Sequence, residues 1–243
     1  MPRIVKFIDE KHNLNEAGDS IRLGTLEHYQ SLPEEGGIGD YLEGLAGFKT
    51  SEDVTLTPET AQHMMPGLKK GVITVSGGGG IYKAVNNCYL FCATMFDDWY
   101  VDESIFPQYN SYYTINNFQK FAEFIGLLLR KSFTLNDVQE HSLHFLNRLP
   151  ATEIRIDWRI DAHKVDYSRE KALEISNPNS GELKNFVPAE YLRLFCKPKK
   201  YSNQREFRIA FRPFCANLGF LSVKPEPKNL SLNLKPEVQQ WIG

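Results

Sequence analysis

The chain holds 243 residues, enough for one large domain or two small ones, with a buried core in either case. Hydrophobic residues make up 42% and charged residues 24%, and sixteen Phe with eleven Tyr exclude long disordered stretches. A net charge of -2 excludes a chain that is basic throughout, so any nucleic-acid binding has to come from a local patch.

Apolar runs fall short of the eighteen or so residues that cross a bilayer, and "MPRIVKFIDEKHN" lacks the apolar segment of a secretion signal. The expectation is a cytoplasmic protein without membrane contact. Cys88, Cys92, Cys196 and Cys215 form no CxxC pair and no zinc-like spacing with His, so they read as reduced core thiols. No metal is expected.

Along the chain, "RIVKFID" and "SIRLGTLEHYQ" read as short strands, the second passing into a helical turn near Leu26. "SLPEEGGIGDYLEGLAG" reads as an exposed loop, "FKTSEDVTLT" as a strand, and "PETAQHMM" as a short helix with Pro58 near its first turn. In "GVITVSGGGGIYKAV" two strand-like runs flank four glycines, which predicts a hairpin. Neither Lys-Ser/Thr nor a helix follows Gly77–Gly80, so this is not a P-loop.

"NCYLFCATMF" is continuously apolar and suits a central strand, and "SYYTI" is another strand. In "NNFQKFAEFIGLLLRK" an apolar stripe of Phe118, Phe121, Phe124, Ile125 and Leu128 predicts a helix. A second helix is expected over "LNDVQEHSLHFLNRL", with Thr134 or Asn136 as its cap. "TEIRIDWRID" alternates as a strand, "SREKALEISNPNSGELKN" is charged and loop-like, and "PAEYLRLFCK" is a short helix. "NLGFLSV" and "LSLNL" close the chain as strands. No repeat or linker divides it, so residues 1–243 are expected to form a single α+β domain.

The stretch "KKYSNQREFRIAFRP" carries the chemistry. Read as a strand, it places Gln204, Glu206, Arg208 and Arg212 on one face and Arg205, Phe207, Ile209 and Phe211 on the other. A carboxylate fixed there can accept hydrogen bonds from a sugar hydroxyl and stabilise positive charge at an anomeric carbon. The plainer alternative is a solvent-facing strand on which Glu206 pairs with Arg208.

This Gln-x-Glu motif resembles the terminal motif of the ADP-ribosyltransferases. The resemblance implies an α+β fold with a split mixed/antiparallel β-sheet core and flanking helices. It implies NAD as co-substrate, with Glu206 on the nicotinamide ribose and Gln204 and the loop before it placing the acceptor. Arg22, followed by Gly24 and Thr25, matches the early strand that grips NAD; a guanidinium suits phosphate or ribose oxygens. The family's middle strand offers a Ser-Thr-Ser trio. Here "FCATMF" supplies Cys92 and Thr94, and Thr74 with Ser76 compete for that role. A looser likeness to proteins encoded near phage-defence and toxin–antitoxin systems implies a toxic effector and a neutralising antitoxin partner.

Asp40, Tyr41 and Glu43 read either as part of the cleft or as a solvated turn. His28 and Tyr29 follow the Arg22 strand and read either as lining the pocket or, in preference, as structural, and His141 with His144 as a helix pair lacking a third metal ligand. Between Arg193 and Arg212 lie seven cations (Arg193, Lys197, Lys199, Lys200, Arg205, Arg208 and Arg212) against the one acid Glu206. Such a run attracts phosphates, and Tyr201 is placed to stack on a base, so Lys199, Lys200, Tyr201 and Gln204 are the expected acceptor contacts, for RNA, DNA or protein. The rival from another class is a non-enzymatic nucleic-acid-binding or regulatory protein using that run. An NAD hydrolase or a nuclease using Asp157, Asp161 and Asp166 ranks behind it.

Overall fold

A computed structural model describes residues 2–16, 18–33, 39–40, 43–61, 71–97, 100–168, 172–174, 190–231 and 240–243. In chain order its strands are β1 (Arg3–Ile8), β2 (Ser20–Thr25), β3 (Leu45–Lys49), β4 (Val54–Leu56), β5 (Ile73–Val75), β6 (Gly80–Ala84) and β7 (Tyr89–Phe96). There follow β8 (Ser111–Ile115), β9 (Ile156–Lys164), β10 (Ala172–Glu174), β11 (Glu206–Cys215), β12 (Gly219–Phe220) and β13 (Lys228–Ser231). The helices are α1 (Leu26–Ser31), α2 (Pro58–Ala61), α3 (Phe118–Ser132), α4 (Glu140–Leu146) and α5 (Glu190–Phe195). The fold is α+β, mostly antiparallel sheet with few helices. Two compact units share the chain: Met1–Tyr41, Asn86–Val165 and Lys200–Gly243 make the first, Leu42–Val85 and Asp166–Lys199 the second.

The first unit is built on one eight-stranded sheet. Its main path runs β12-β11-β7-β1-β8, with β9 along the other edge of β11, β2 on β7 and β13 on β2. Every one of these pairings is antiparallel. β7 is central because its sequence is apolar on both faces, and both its edges are paired. Asn117 caps α3 by accepting from the Lys120 amide, and the helix then lays Phe121, Ile125 and Leu129 on Phe91, Phe207, Ile209 and Phe211. Each such side chain, fully buried, stabilises the fold by about 1.5–3 kcal/mol. Gly126 lets α3 approach β9: a Cβ there would lie 2.7 Å from Ile160 Cδ1.

The second unit holds a three-stranded sheet, β10-β3-β6, and a two-stranded one, β4-β5. β10 runs parallel to β3, which makes this small sheet mixed. Its interior carries charge. Lys197 Nζ lies 4.0 Å from Glu43 Oε2 with both side chains buried, and Arg193 Nη1 donates to the Ala84 carbonyl at 3.1 Å.

Several expected elements are redrawn. The two runs around the glycines are no hairpin: β5 pairs with β4 while β6 pairs with β3, so the glycine turn links two sheets. Backbone contacts hold that turn, Gly78 N–H donating to Thr50 O and Thr50 N–H to Gly79 O. "FKTSEDVTLT" is two strands broken at Thr50, and Ala172–Glu174, expected as loop, adds a strand to β3. Thr134 does cap, but it caps a 3-10 turn at Leu135–Asp137, and α4 starts afresh after Gln139. "NLGFLSV" is reduced to the two-residue β12 and a bridge from Val223 to Val138. Parts of the loop at 31–47, the end of "PETAQHMM", most of 168–185 and the end of "LSLNL" lie outside the described residues.

The largest redrawing concerns residues 199–213. The strand begins at Glu206, and Lys199–Gln204 form a 3-10 turn. Arg205 between them sits at φ 45°, the left-handed region that a side chain other than Gly rarely adopts. Gln204 and Glu206 therefore do not share a strand face. Beyond the kink the expected alternation holds, with Phe207, Ile209 and Phe211 in the core.

Candidate active site at a split in the main sheet

One edge of β7 is shared by two strands. β1 pairs with its end, Val5 facing Thr94 and Arg3 facing Phe96; β2 pairs with its start, Gly24 facing Leu90 and Thr25 facing Tyr89. Residues 91–93 of β7 carry neither partner in register, and that opening is about 10 Å long at strand rise. The Cys92 carbonyl, which lacks a strand partner there, accepts from Lys6 Nζ at 2.8 Å. The same ammonium lies 5.3 Å from the centre of the Phe91 ring. A lysine flanked by apolar residues in the middle of β1 thus replaces a missing ladder bond.

Glu206 enters this split from the far side of β7. It stands directly opposite Thr94, and Arg208 stands opposite Cys92, so all four project from one face of the sheet. Arg208 grips the carboxylate at two points, Nε donating to Oε1 at 2.6 Å and Nη2 to Oε2 at 3.2 Å. Neither is solvent-facing: Glu206 is 6% exposed and Arg208 1%. The alternative of an exposed strand pair is therefore right about the partner and wrong about the solvent. A bidentate, charge-assisted pair of this kind fixes the carboxylate's orientation.

α1 closes the split from the β2 side. Thr25 starts the helix by accepting from the His28 amide, which swings Tyr29 back over β2. The Tyr29 ring lies so close to Gly24 that a Cβ there would be 2.7 Å from it, and the phenol hydrogen-bonds to the Cys92 thiol. Burial raises the Tyr29 phenol well above its ordinary range, and the neighbouring Cys92 and Glu206 add to this. The Cys92 thiol is pushed up to about 12, first by burial and then by the Glu206 carboxylate. It stays protonated near neutral pH and is no nucleophile there. Burial also lowers the Lys6 ammonium, and the positive charge of Arg22 adds to that lowering.

Arg22 projects from β2 and is exposed at the surface. Alternation places it on the same face as Gly24, hence on the face of Cys92 and Glu206. Its charge reaches His28 and Tyr109 as well as Lys6. Of the expected site residues, Arg22, Gly24, Thr94 and Glu206 converge on the split. Thr25 does so only as scaffold: its hydroxyl donates to the Pro225 carbonyl at 2.6 Å while capping α1. Thr74 and Ser76 lie in the second unit, on and just after β5, whereas Thr94 is the sheet neighbour of Glu206.

The acceptor residues fare differently. Lys199 and Lys200 are exposed, but Tyr201 is buried, donates its hydroxyl to the Gly39 carbonyl at 2.8 Å and lies under Lys200 Nζ at 4.9 Å. Its ring is not presented for stacking on a base. Gln204 is buried as well. The basic run is mostly internal: Arg193, Lys197, Arg208 and Arg212 are buried, and Arg212 donates to Asp161 Oδ2 at 2.7 Å. Asp40 and Glu43 are likewise buried rather than part of a solvated turn. Asp157 pairs with Arg130, and among the described residues no three or more of His, Cys, Asp and Glu cluster as metal ligands would. No described helix is long and apolar enough to cross a membrane.

Lys6 and the contact of Tyr29 with Cys92 escaped the sequence reading. Lys6 had one legible signal, a cation among the apolar residues that follow Arg3 in "RIVKFI". The Tyr29 contact had none, since it depends on how α1 folds back over β2. Compared with known proteins, the chain matches no family model, no curated protein and no solved structure.

Proposed function

We propose that this chain is an NAD-consuming mono-ADP-ribosyltransferase, with NAD as co-substrate and a nucleic acid or a protein as acceptor. The observation that carries the reading is the placement of Arg22, Thr94 and Glu206 on β2, β7 and β11, three strands that meet at the split. The charges there suit such a substrate. Arg22 is an exposed guanidinium, fitted to pyrophosphate or ribose oxygens, and Lys6 adds a second cation in the split. Thr25 is excluded from this role by its two scaffold hydrogen bonds.

The reaction breaks the bond between the ribose anomeric carbon and nicotinamide, and the leaving group departs with the electron pair. Glu206 stabilises the positive charge that builds on the sugar, and the acceptor's nucleophile then bonds to the same carbon and loses its proton. Arg208 holds the Glu206 carboxylate in one orientation through the step. The exposed Lys199, Lys200 and Arg205 flank the acceptor side, and Gln204 lies behind them. In the setting of a bacterial defence or toxin–antitoxin module the enzyme acts as a toxic effector and its expected partner is a neutralising antitoxin protein. The rival reading, a binding protein using the cations of 193–212, is weakened because four of the seven are interior.

Purified protein is given labelled NAD with total RNA, DNA and lysate protein, alongside Arg22→Ala and Glu206→Gln. Label transfer by the wild type, reduced about 10²–10³-fold in each variant, is the expected result. Arg22 is exposed, so its variant separates loss of chemistry from loss of fold. Folded wild-type protein that consumes no NAD with any acceptor sinks the proposal.

A further inference from the structure

β9 pairs with β11 along one edge, and among the described residues no strand pairs with its other edge. The Pro213 carbonyl of β11 accepts from Leu221 on the β12 side, and Pro213 has no N–H, so Trp158 opposite it receives no ladder bond from β11. The Trp158 amide instead donates to the Asp157 side chain at 2.8 Å. On the other parity, Val165 N–H donates inward to the Glu206 carbonyl. Alternation then turns the N–H and C=O groups of Trp158, Ile160, Ala162 and Lys164 outward. Among the described residues no backbone hydrogen bond reaches that edge from another strand.

The side chains of this edge are self-complementary. In a two-fold antiparallel pairing centred on Ile160, Arg159 of one copy faces Asp161 of the other, and Asp157 faces His163. The two Arg159–Asp161 contacts are attractive, and Asp157 facing His163 sets no like charges together. Moving the centre by one residue destroys this: centred on residue 159 it opposes Asp157 to Asp161 and Arg159 to its own copy, and centred on residue 161 it opposes Asp161 to its own copy. Like charges directly opposite are destabilising. On the other face, Ile160 meets its own copy and Trp158 meets Ala162, so the apolar layer under α3 continues across the junction.

We propose that β9 pairs with β9 of a second copy of this chain, in the register centred on Ile160, to make one continuous sheet across a two-fold axis. The occupant is a second copy because the register centred on Ile160 opposes Arg159 to Asp161 and Asp157 to His163 and sets no like charges against each other, whereas its neighbours do. Asp157 and Asp161 keep their own partners, Arg130 and Arg212, within each copy. Edge strands with unpaired backbone groups are templates for such addition. Nothing in the inference depends on NAD chemistry.

The test is sedimentation velocity of the full chain over a concentration series, for wild type, Ala162→Pro and Arg159→Glu. Ala162→Pro removes one outward N–H at a place where an edge strand tolerates proline. Arg159→Glu places a carboxylate opposite Asp161 of the partner; the side chain is exposed, and the substitution also removes its 3.5 Å contact with Asp161 of its own chain, which the circular dichroism control monitors. The expected result is a concentration-dependent wild-type dimer whose dissociation constant rises at least tenfold in each variant, with circular dichroism unchanged. Hydrogen exchange in the wild-type dimer protects the amides of Ile160 and Ala162. A chain that is monomeric at every concentration overturns the proposal, and so does a dimer that Arg159→Glu leaves intact. If Ala162→Pro fails to fold, the Arg159→Glu outcome decides alone.

Discussion

The two faces of β11 are equally shut off from water and are held by opposite means. Phe207, Ile209 and Phe211 on one face meet α3 and bury apolar surface, which needs no particular partner. Glu206, Arg208 and Arg212 on the other face are as deeply buried, yet each is charged and tied to a named partner, Arg208 to Glu206 and Arg212 to Asp161. Taking such charges out of water costs several kcal/mol per ion before pairing offsets it. A face built only for stability would be apolar. The charged face is the one that meets the split, where Arg208 fixes the orientation of the Glu206 carboxylate.

Single substitutions do not distinguish the faces, but combinations do. Arg208→Leu leaves the Glu206 carboxylate buried without its two-point partner and is expected to lower unfolding free energy by about 3–5 kcal/mol. Phe211→Ala is expected to cost about the same, ~3–5 kcal/mol, through a core cavity. The second substitution separates them. Arg208→Leu with Glu206→Met recovers most of the loss, because both charges leave together, whereas Phe211→Ala with Ile209→Ala loses more than either alone. Urea titration of the four variants and the two pairs is the measurement. A charged pair whose losses simply add would break the distinction drawn here.

The raised thiol of Cys92 gives a second way to sharpen it. At pH 9 the folded thiol, at about 12, carries far less thiolate than a free cysteine, so its alkylation is expected to be roughly 10²–10³-fold slower than in the unfolded chain. Mass-spectrometric rates at each of the four cysteines test this. Linkage gives the sign for stability: the folded thiol holds its proton more tightly than the unfolded one. Its contribution is therefore complete below about pH 9 and is lost as pH rises toward 12. A Cys92 that alkylates as fast as a free thiol at pH 9 would place Glu206 and burial further from it than the structure does.

The smallest expected effect lies at the entrance to β11. Arg205 holds a left-handed backbone at φ 45°, which costs a residue with a Cβ about 1–3 kcal/mol. Arg205→Gly relieves that strain but loses backbone entropy on folding, so a net gain of about 1 kcal/mol or less is expected from thermal melts. A loss would mean that the guanidinium over the Phe96 ring, 5.8 Å from its centre, outweighs the strain.

Much was legible in the sequence where a local rule had no competitor. The period of α3, the apolar run of β7, the turn of β2 into a helix at Leu26 and the alternation of Phe207, Ile209 and Phe211 all follow from side-chain spacing, because those segments bury the face their pattern presents. The order Arg22, Thr94, Glu206 could be written down from the chain, and so could the Glu206–Arg208 pairing. What only the tertiary structure decided is pairing across distance and burial of charge. Which strands pair with the two runs flanking the glycine turn, which threonine faces Glu206, and that four of seven cations between Arg193 and Arg212 lie inside are long-range outcomes. A charged side chain in a sequence reads as solvent-facing because burial is costly, and the rule fails where a partner far along the chain, such as Asp161 for Arg212, arrives to offset that cost.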